Sequence, residues 1–140
     1  MIGDAVTQAD LEYKKTIDLY IQENGLEQNI FALGFRHDVA DILALTDCVL
    51  IPSSEGLSLV ALEAMSAKTH VVCTDGSGSA ELLKVAGCGV TYKTNGSVED
   101  IADVIFAVKK ESGETLDNGY CFCLKQNYEN YKKNLNRIFV

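Results

Sequence analysis

Cys48-Val-Leu-Ile-Pro52, Leu57-Ser-Leu-Val-Ala-Leu-Glu-Ala-Met-Ser-Ala67 and His70-Val-Val-Cys-Thr74 follow one another in mid-chain, and their order decides the fold. The outer two are short apolar runs, the first closed by the chain's one proline, as strands buried on both faces read. The run between them has no Gly or Pro in its interior and a single charged side chain, Glu63. It reads as a helix apolar nearly all round, and therefore buried. A strand, a helix and a strand joined by short loops form the repeating unit of a parallel sheet.

Outward from that unit the alternation continues. Toward the carboxyl end, Gly89-Val-Thr-Tyr92 reads as a strand and Ser79 to Val85 as a short helix before it. Ser97-Val-Glu-Asp100 has the form of a capping box and opens a helix with Ile101, Val104, Ile105 and Val108 on one face. After a polar loop, Glu111 to Thr115, a last helix is expected from about Asn118 to Leu135. Toward the amino end, Val39 to Leu45 reads as a helix and Asn29-Ile-Phe-Ala-Leu-Gly34 as a short strand. Thr7-Gln-Ala-Asp10 is a second capping box, followed by Leu11, Ile17 and Ile21 at near-helical spacing until Gly25. Ile2 stands directly before Gly3-Asp4, where a strand should already be turning into its helix. The expectation is an α/β fold, a doubly wound parallel sheet with helices on both faces, its first strand truncated to a stub. The edge left beside that stub would invite dimerisation.

With 140 residues the chain is one domain's length, residues 1–140, and 47% hydrophobic with 23% charged residues is ordinary globular composition. The net charge of −8 repels a phosphate backbone, so nucleic acid is not an expected partner. A single phosphate or diphosphate is still admissible, because helix N-terminal amides bind it without a basic patch. The longest uncharged runs are too short to span a bilayer, and the first residues do not form a signal peptide. Five cysteines are an odd number and read as free, buried thiols in a reducing cytoplasm. Cys121-Phe-Cys123 lacks the spacing and the second ligand pair of a zinc site, so no metal is expected.

Ligands of open parallel sheets bind beyond the carboxyl ends of the strands. Three loops there are polar or glycine-bearing: Gly34-Phe-Arg-His-Asp38, Pro52 to Ser58, and Asp75-Gly-Ser-Gly-Ser79. A carboxylate in an apolar helix needs hydrogen-bond donors, so Glu63 calls either for a neighbouring loop amide or cation or for the hydroxyls of a ligand. Glu55, eight positions earlier, either favours the helix dipole or meets a ligand of its own. Between the two acids lie the amides of Gly56, Leu57 and Ser58. Acid, amides and acid suit a molecule with hydroxyls at both ends and phosphate between them, a sugar nucleotide.

Glu55-Gly-Leu-Ser-Leu-Val-Ala-Leu-Glu63-Ala-Met resembles the E-x7-E signature of the group 1 glycosyltransferases, glycosyltransferase family 4, whose members have two facing Rossmann-like domains (the GT-B type). Ile2-Gly-Asp4, Phe31 to Phe35, Thr46 to Ser53, Val71 to Asp75, Ala80-Glu-Leu82 and Gly87-Cys-Gly89 fall in that family's order and spacing. The likeness runs from Ile2 to about Val108 and is to the C-terminal, donor-binding domain. It implies that Glu55 is a catalytic residue beside the donor hexose and that the amides of Gly56, Leu57 and Ser58 meet the distal phosphate. By the same resemblance Glu63 accepts from the ribose hydroxyls, and Gly34, Phe35 and Arg36 border the nucleobase.

The implied activity is retaining transfer of a hexose from a UDP-, GDP- or ADP-linked donor to a saccharide or lipid-linked acceptor, without cofactor or metal. Where the family usually has Gly-Lys-Pro, this chain has Lys68-Thr69-His70, and Ser77-Gly78 replaces its usual Gly-Gly. Family members also carry an arginine and a lysine in a segment that would precede Gly3, and an acceptor site in a separate N-terminal domain. The expected partner is that missing domain or a subunit supplying it, and the chain alone is expected to be inactive. The alternative is a non-catalytic nucleotide or nucleotide-sugar binding module derived from such a domain. A flavodoxin-like or receiver-like domain would need a phosphoacceptor or hydroxyl-rich loop that Gly3-Asp4-Ala5 does not supply. The expected compartment is the cytoplasm, with attachment of the full-length enzyme to the membrane periphery left open.

Overall fold

Three strands, β1 (Cys48–Ile51), β2 (His70–Thr74) and β3 (Val90–Tyr92), form a sheet in the order β1-β2-β3, with both pairings parallel. The structure is a computed structural model and describes residues 1–53, 56, 58–108 and 113–125. The chain divides into two compact units, Met1–Val39 and Ala40–Val140.

The sheet lies in the second unit. Val71, Val72 and Cys73 are at most 1% exposed, because alternate side chains of a strand covered on both sides point into two separate cores. On one face Val72 packs with Tyr92 and Val108, and Cys48, Val90, Ile101, Val104 and Ile105 close around them. The last three of these and Val108 belong to α5 (Val98–Val108), so the apolar stripe read from sequence is the stripe that covers the sheet. Its start is the expected capping box: the Asp100 amide donates to the Ser97 hydroxyl at 3.1 Å, and the Ser97 amide donates to the Asp100 carboxylate at 3.0 Å. Against the sheet also pack α3 (Leu59–Ser66) and α4 (Gly78–Ala86), with α6 (Gly113–Lys125) lying on both of these helices. The short α2 (Val39–Ala44) ends where the buried Thr69 hydroxyl donates to the Leu43 carbonyl at 2.7 Å.

Several boundaries differ from expectation. The middle helix begins at Leu59 with Ser58 as its N-cap, two residues later than its apolar run suggests, because Gly56 and Ser58 belong to the loop. The last helix begins at Gly113, inside the segment read as a loop, and its expected end lies outside the described residues. β1 is not buried throughout: Leu50 is 42% exposed, as befits an end position in the sheet. No disulfide joins the five cysteines, and only Cys73 and Cys88 are buried; Cys48 and Cys123 are half-buried and Cys121 is exposed.

In the first unit α1 (Gln8–Glu23) opens on its capping box, with Thr7 and Asp10 exchanging hydrogen bonds. Asn29 to Gly34, expected as a strand, forms no regular strand. It is nevertheless hydrogen-bonded in parallel sense to the chain's first residues: the Met1 amino group donates to Phe31 O, Leu33 N to Met1 O and Gly3 N to Gly34 O. These bonds describe a short pairing around Ile2 without the ladder of a regular strand.

Among the described residues no helix is long and apolar enough to cross a membrane. Two glycines of the second unit test the fit of α4 to the sheet. Gly87 and Gly89 both have φ near +66° (66° and 67°), but a Cβ on Gly89 would lie 2.8 Å from the Val71 carbonyl oxygen and from Leu83, while one on Gly87 meets only Asn118 at 3.7 Å. Gly87→Ala should therefore cost about 1 kcal/mol, the left-handed penalty alone. Gly89→Ala should cost about 3 kcal/mol, since overpacking adds to it. Chemical denaturation of the two variants checks this, and equal losses would refute the close approach.

Candidate functional site

Because the strands are parallel and in register, the loops after them open on one edge of the sheet. Ile51 pairs with Cys73 and Thr74 with Tyr92, so the loops beginning at Pro52, Asp75 and Lys93 leave side by side. The middle one is held firmly. Ser77 donates its hydroxyl to the Thr74 carbonyl at 2.8 Å and accepts from the Ala80 amide at 3.3 Å, capping α4. The replacement of the family's Gly-Gly by Ser77-Gly78 thus supplies a side-chain cap. Asp75 donates its amide to Tyr92 O at 2.8 Å, and its carboxylate accepts from the Thr94 hydroxyl at 2.7 Å and the Thr94 amide at 3.0 Å. These bonds, the Thr94 hydroxyl first, hold the Asp75 carboxyl below its ordinary pKa.

The N-terminus of α3 is built differently. Ser58 is the N-cap in extended conformation, yet its hydroxyl makes no cap hydrogen bond although the residue is only 8% exposed. Ser77 and Ser97 at α4 and α5 and Thr7 at α1 each accept from their helix's third amide. In α3 the Ala61 amide turns back to Ser58 O at 3.2 Å, and the amides of Leu59 and Val60 ahead of it have no intrahelical acceptor. Among the described residues no side-chain cap closes the positive end of the dipole.

Glu63 lies on the same helix, but not where its sequence context suggests. Ala61, Ala64 and Met65 are the buried residues of α3, whereas Leu59 and Val60 are 70% and 44% exposed and Glu63 is exposed with them. Residues four apart share a helix face, so Glu63 stands on the Leu59 side, one turn from the open N-terminus. The expectation of a buried carboxylate in need of a donor is corrected: the apolar residues around Glu63 are themselves partly solvent-facing, and the helix buries one face only. No hydrogen bond reaches the carboxylate from the described residues.

Of the other expected site residues, Gly56 is exposed in the loop before Ser58, and Glu55 and Leu57 lie outside the described residues. Gly34, Phe35 and Arg36 belong to the first unit. There the Arg36 guanidinium forks onto Asp38 through Nε and Nη2, which lowers the Asp38 pKa, and Phe35, 72% exposed, meets the His37 ring edge-on at 4.9 Å. The Arg36 cation is thus already paired. Sequence reasoning missed Thr94. Its signal was the polar Thr94-Asn-Gly96 turn directly after a strand, but only strand order shows that this turn adjoins Asp75.

The model of the family described as glycosyl transferases group 1 matches residues 1–134. A UDP-Gal:alpha-D-GlcNAc-diphosphoundecaprenol alpha-1,3-galactosyltransferase of Escherichia coli is 31% identical over 119 residues, 84% of this chain and 28% of that protein. Among solved structures, HepE of Anabaena in complex with UDP superposes with a TM-score of 0.82 at 24% identity, covering 99% of this chain and 40% of that one. The C-terminal domain of the group 1 family protein LpcC from Francisella tularensis matches with a TM-score of 0.68 at 28% identity over 86% of this chain and 65% of that one. The chain belongs to the group 1 glycosyltransferase family, with the fold of the C-terminal, Rossmann-like domain of its two-domain members. It spans less than a third of the Escherichia coli relative and two fifths of the HepE chain.

The lowered Asp75 pKa has a definite sign. A carboxyl whose folded pKa is depressed stabilises the fold above its unfolded pKa, and this is lost as pH falls through the folded value. Wild type should melt above Asp75→Asn at pH 7, and the gap should close as the pH is taken below about 4, the ordinary aspartate range. Melting curves between pH 7 and pH 3 check this; a gap that persists at the acid end would mean the carboxylate charge is not what Thr94 holds.

Proposed function

We propose that this chain is the donor-binding domain of a retaining glycosyltransferase, taking a nucleoside diphosphate hexose whose sugar passes to a saccharide or lipid-linked acceptor. The observation that carries the reading is the N-terminus of α3, where the buried Ser58 hydroxyl makes no cap hydrogen bond and, among the described residues, no acceptor is recorded for the Leu59 and Val60 amides. A distal phosphate fits such a terminus. Glu63, exposed and without a donor among the described residues, supplies acceptor oxygens that a ribose diol satisfies. Glu55 would stand beside the hexose, and the family resemblance alone assigns Gly34, Phe35 and Arg36 to the base.

Breaking the anomeric bond leaves negative charge on the departing diphosphate, which donors aimed at the phosphate stabilise most in the transition state. The α3 amides provide part of this. Lys14, Arg36 and Lys68 are paired to Asp4, Asp38 and Asp117, Lys93 follows β3 at the same sheet edge, and the acceptor site is assigned to a partner domain. UDP is the first donor nucleotide to test, because the Escherichia coli relative is named for UDP-Gal and HepE was solved with UDP.

Glu63→Ala should weaken UDP and UDP-hexose binding alike, by about 1.5 to 3 kcal/mol for bonds to a charged acceptor. Its melting temperature should barely change, as for an exposed side chain without partners. Glu55→Gln should leave UDP affinity unchanged and lower transfer once a partner domain is supplied. Calorimetry and thermal melts on both variants test this; wild-type UDP affinity retained in Glu63→Ala would remove the ribose role.

A further inference from the structure

The Asp75 loop of the sheet edge is tied to the loop after β3, from which no site residue has come. Thr94 follows β3, and its hydroxyl lies 2.7 Å from the buried Thr74 hydroxyl and 2.7 Å from Asp75 Oδ1. A hydroxyl has one proton and two lone pairs. Since the carboxylate can only accept, Thr94 gives its proton to Asp75, so the Thr74 hydroxyl must donate to Thr94. The chain of bonds therefore has one direction, from a core residue 2% exposed to an exposed carboxylate. The Thr94 amide adds a second bond to the same oxygen. Thr94 also packs over the loop itself: a Cβ on Gly76 would lie 3.0 Å from Thr94 Oγ1. A carboxylate has about four acceptor sites. Both Thr94 bonds fall on Oδ1, so among the described residues the other oxygen keeps its acceptor sites, on a loop that leaves the sheet beside Pro52.

We propose that Thr94 is a positioning residue of the donor site, fixing the Asp75 carboxylate at the carboxyl end of β2 as an acceptor for a hexose hydroxyl. The proposal rests on the donor-site reading above and adds to it a residue outside the E-x7-E segment. A carboxylate held by two donors from one residue cannot swing with its loop, and a fixed acceptor discriminates among hydroxyl positions better than a mobile one.

The test is titration calorimetry of the whole chain with UDP, GDP and ADP and with UDP-glucose, UDP-galactose, GDP-mannose and ADP-glucose. The variants are Thr94→Ser, Thr94→Val, Asp75→Asn and the double variant of Thr94→Val with Asp75→Asn. Wild type should bind at least one of the sugar nucleotides more tightly than its bare nucleotide. Thr94→Val should reduce that preference about three- to tenfold, the size of one hydrogen bond, while bare-nucleotide affinity stays within about twofold. Thr94→Ser should restore it, and in the Asp75→Asn background Thr94→Val should change nothing further. An unchanged preference, an equal loss for nucleotide and sugar nucleotide, or additive effects would each overturn the proposal. If Thr94→Val does not fold, Asp75→Asn decides, since it must lose the preference by itself. A wild type that binds no nucleotide counts against the donor-site reading; one that binds nucleotide with no gain from any hexose overturns the Thr94 proposal alone.

Discussion

Strand β2 is hydrogen-bonded along both edges and covered on both faces, and the second unit is arranged around that constraint. Buried backbone must pair, and β2 can satisfy both edges only with β1 and β3 in register beside it. Once Ile51 is opposite Cys73 and Thr74 opposite Tyr92, the loops that follow have no choice of exit. The chemistry at the carboxyl edge is therefore a consequence of pairing in the core.

Much of this was written in the chain. His70 to Thr74 reads as a buried strand because five residues with no Asp, Glu, Lys or Arg among them, most of them β-branched, stand between polar turns, and Ser97 and Asp100 announce a helix start by chemistry that needs no neighbours. Glu63 shows where such reading stops. A run of Leu, Val and Ala around one acid looks buried on all sides, but how much of a helix is covered depends on what packs against it, and here only the Ala61, Ala64 and Met65 face is covered. Asn29 to Gly34 has strand composition and partial pairing, yet its bonds to Met1 and Gly3 are too few to make a regular strand. The start of α6 at Gly113 was hidden because Glu111 to Thr115 is polar, and polarity alone does not distinguish a loop from an exposed first turn.

The family was legible in the sequence, whereas the site residues read there stand as a proposal. Two acids flanking short-side-chain residues at a helix start pointed to hydroxyls and phosphate, and the family match over residues 1–134 places the chain among glycosyltransferases. What a linear reading could not supply is adjacency. Asp75 and Thr94 are 19 residues apart, and nothing between them hints that they meet. The uncapped state of α3 was equally invisible, since serine at an N-cap position ordinarily closes it and Ser58 does not.

The strand order also governs how the unit can be assembled in time. Because β1, β2 and β3 are neighbours in sequence as well as in the sheet, each pairing closes a loop of modest length, and closure entropy grows only slowly with loop size. Folding can then proceed by adding one crossover at a time, the pattern that favours fast formation. Helix α6 is the exception. Its ties to α3 and its C-terminus, Lys68 to Asp117 and Cys123 to Leu62, span 49 and 61 residues, so that layer has to wait for the sheet to exist beneath α3. A ribosome releasing this chain amino end first would present a finished sheet edge before the helix that braces α3 has emerged.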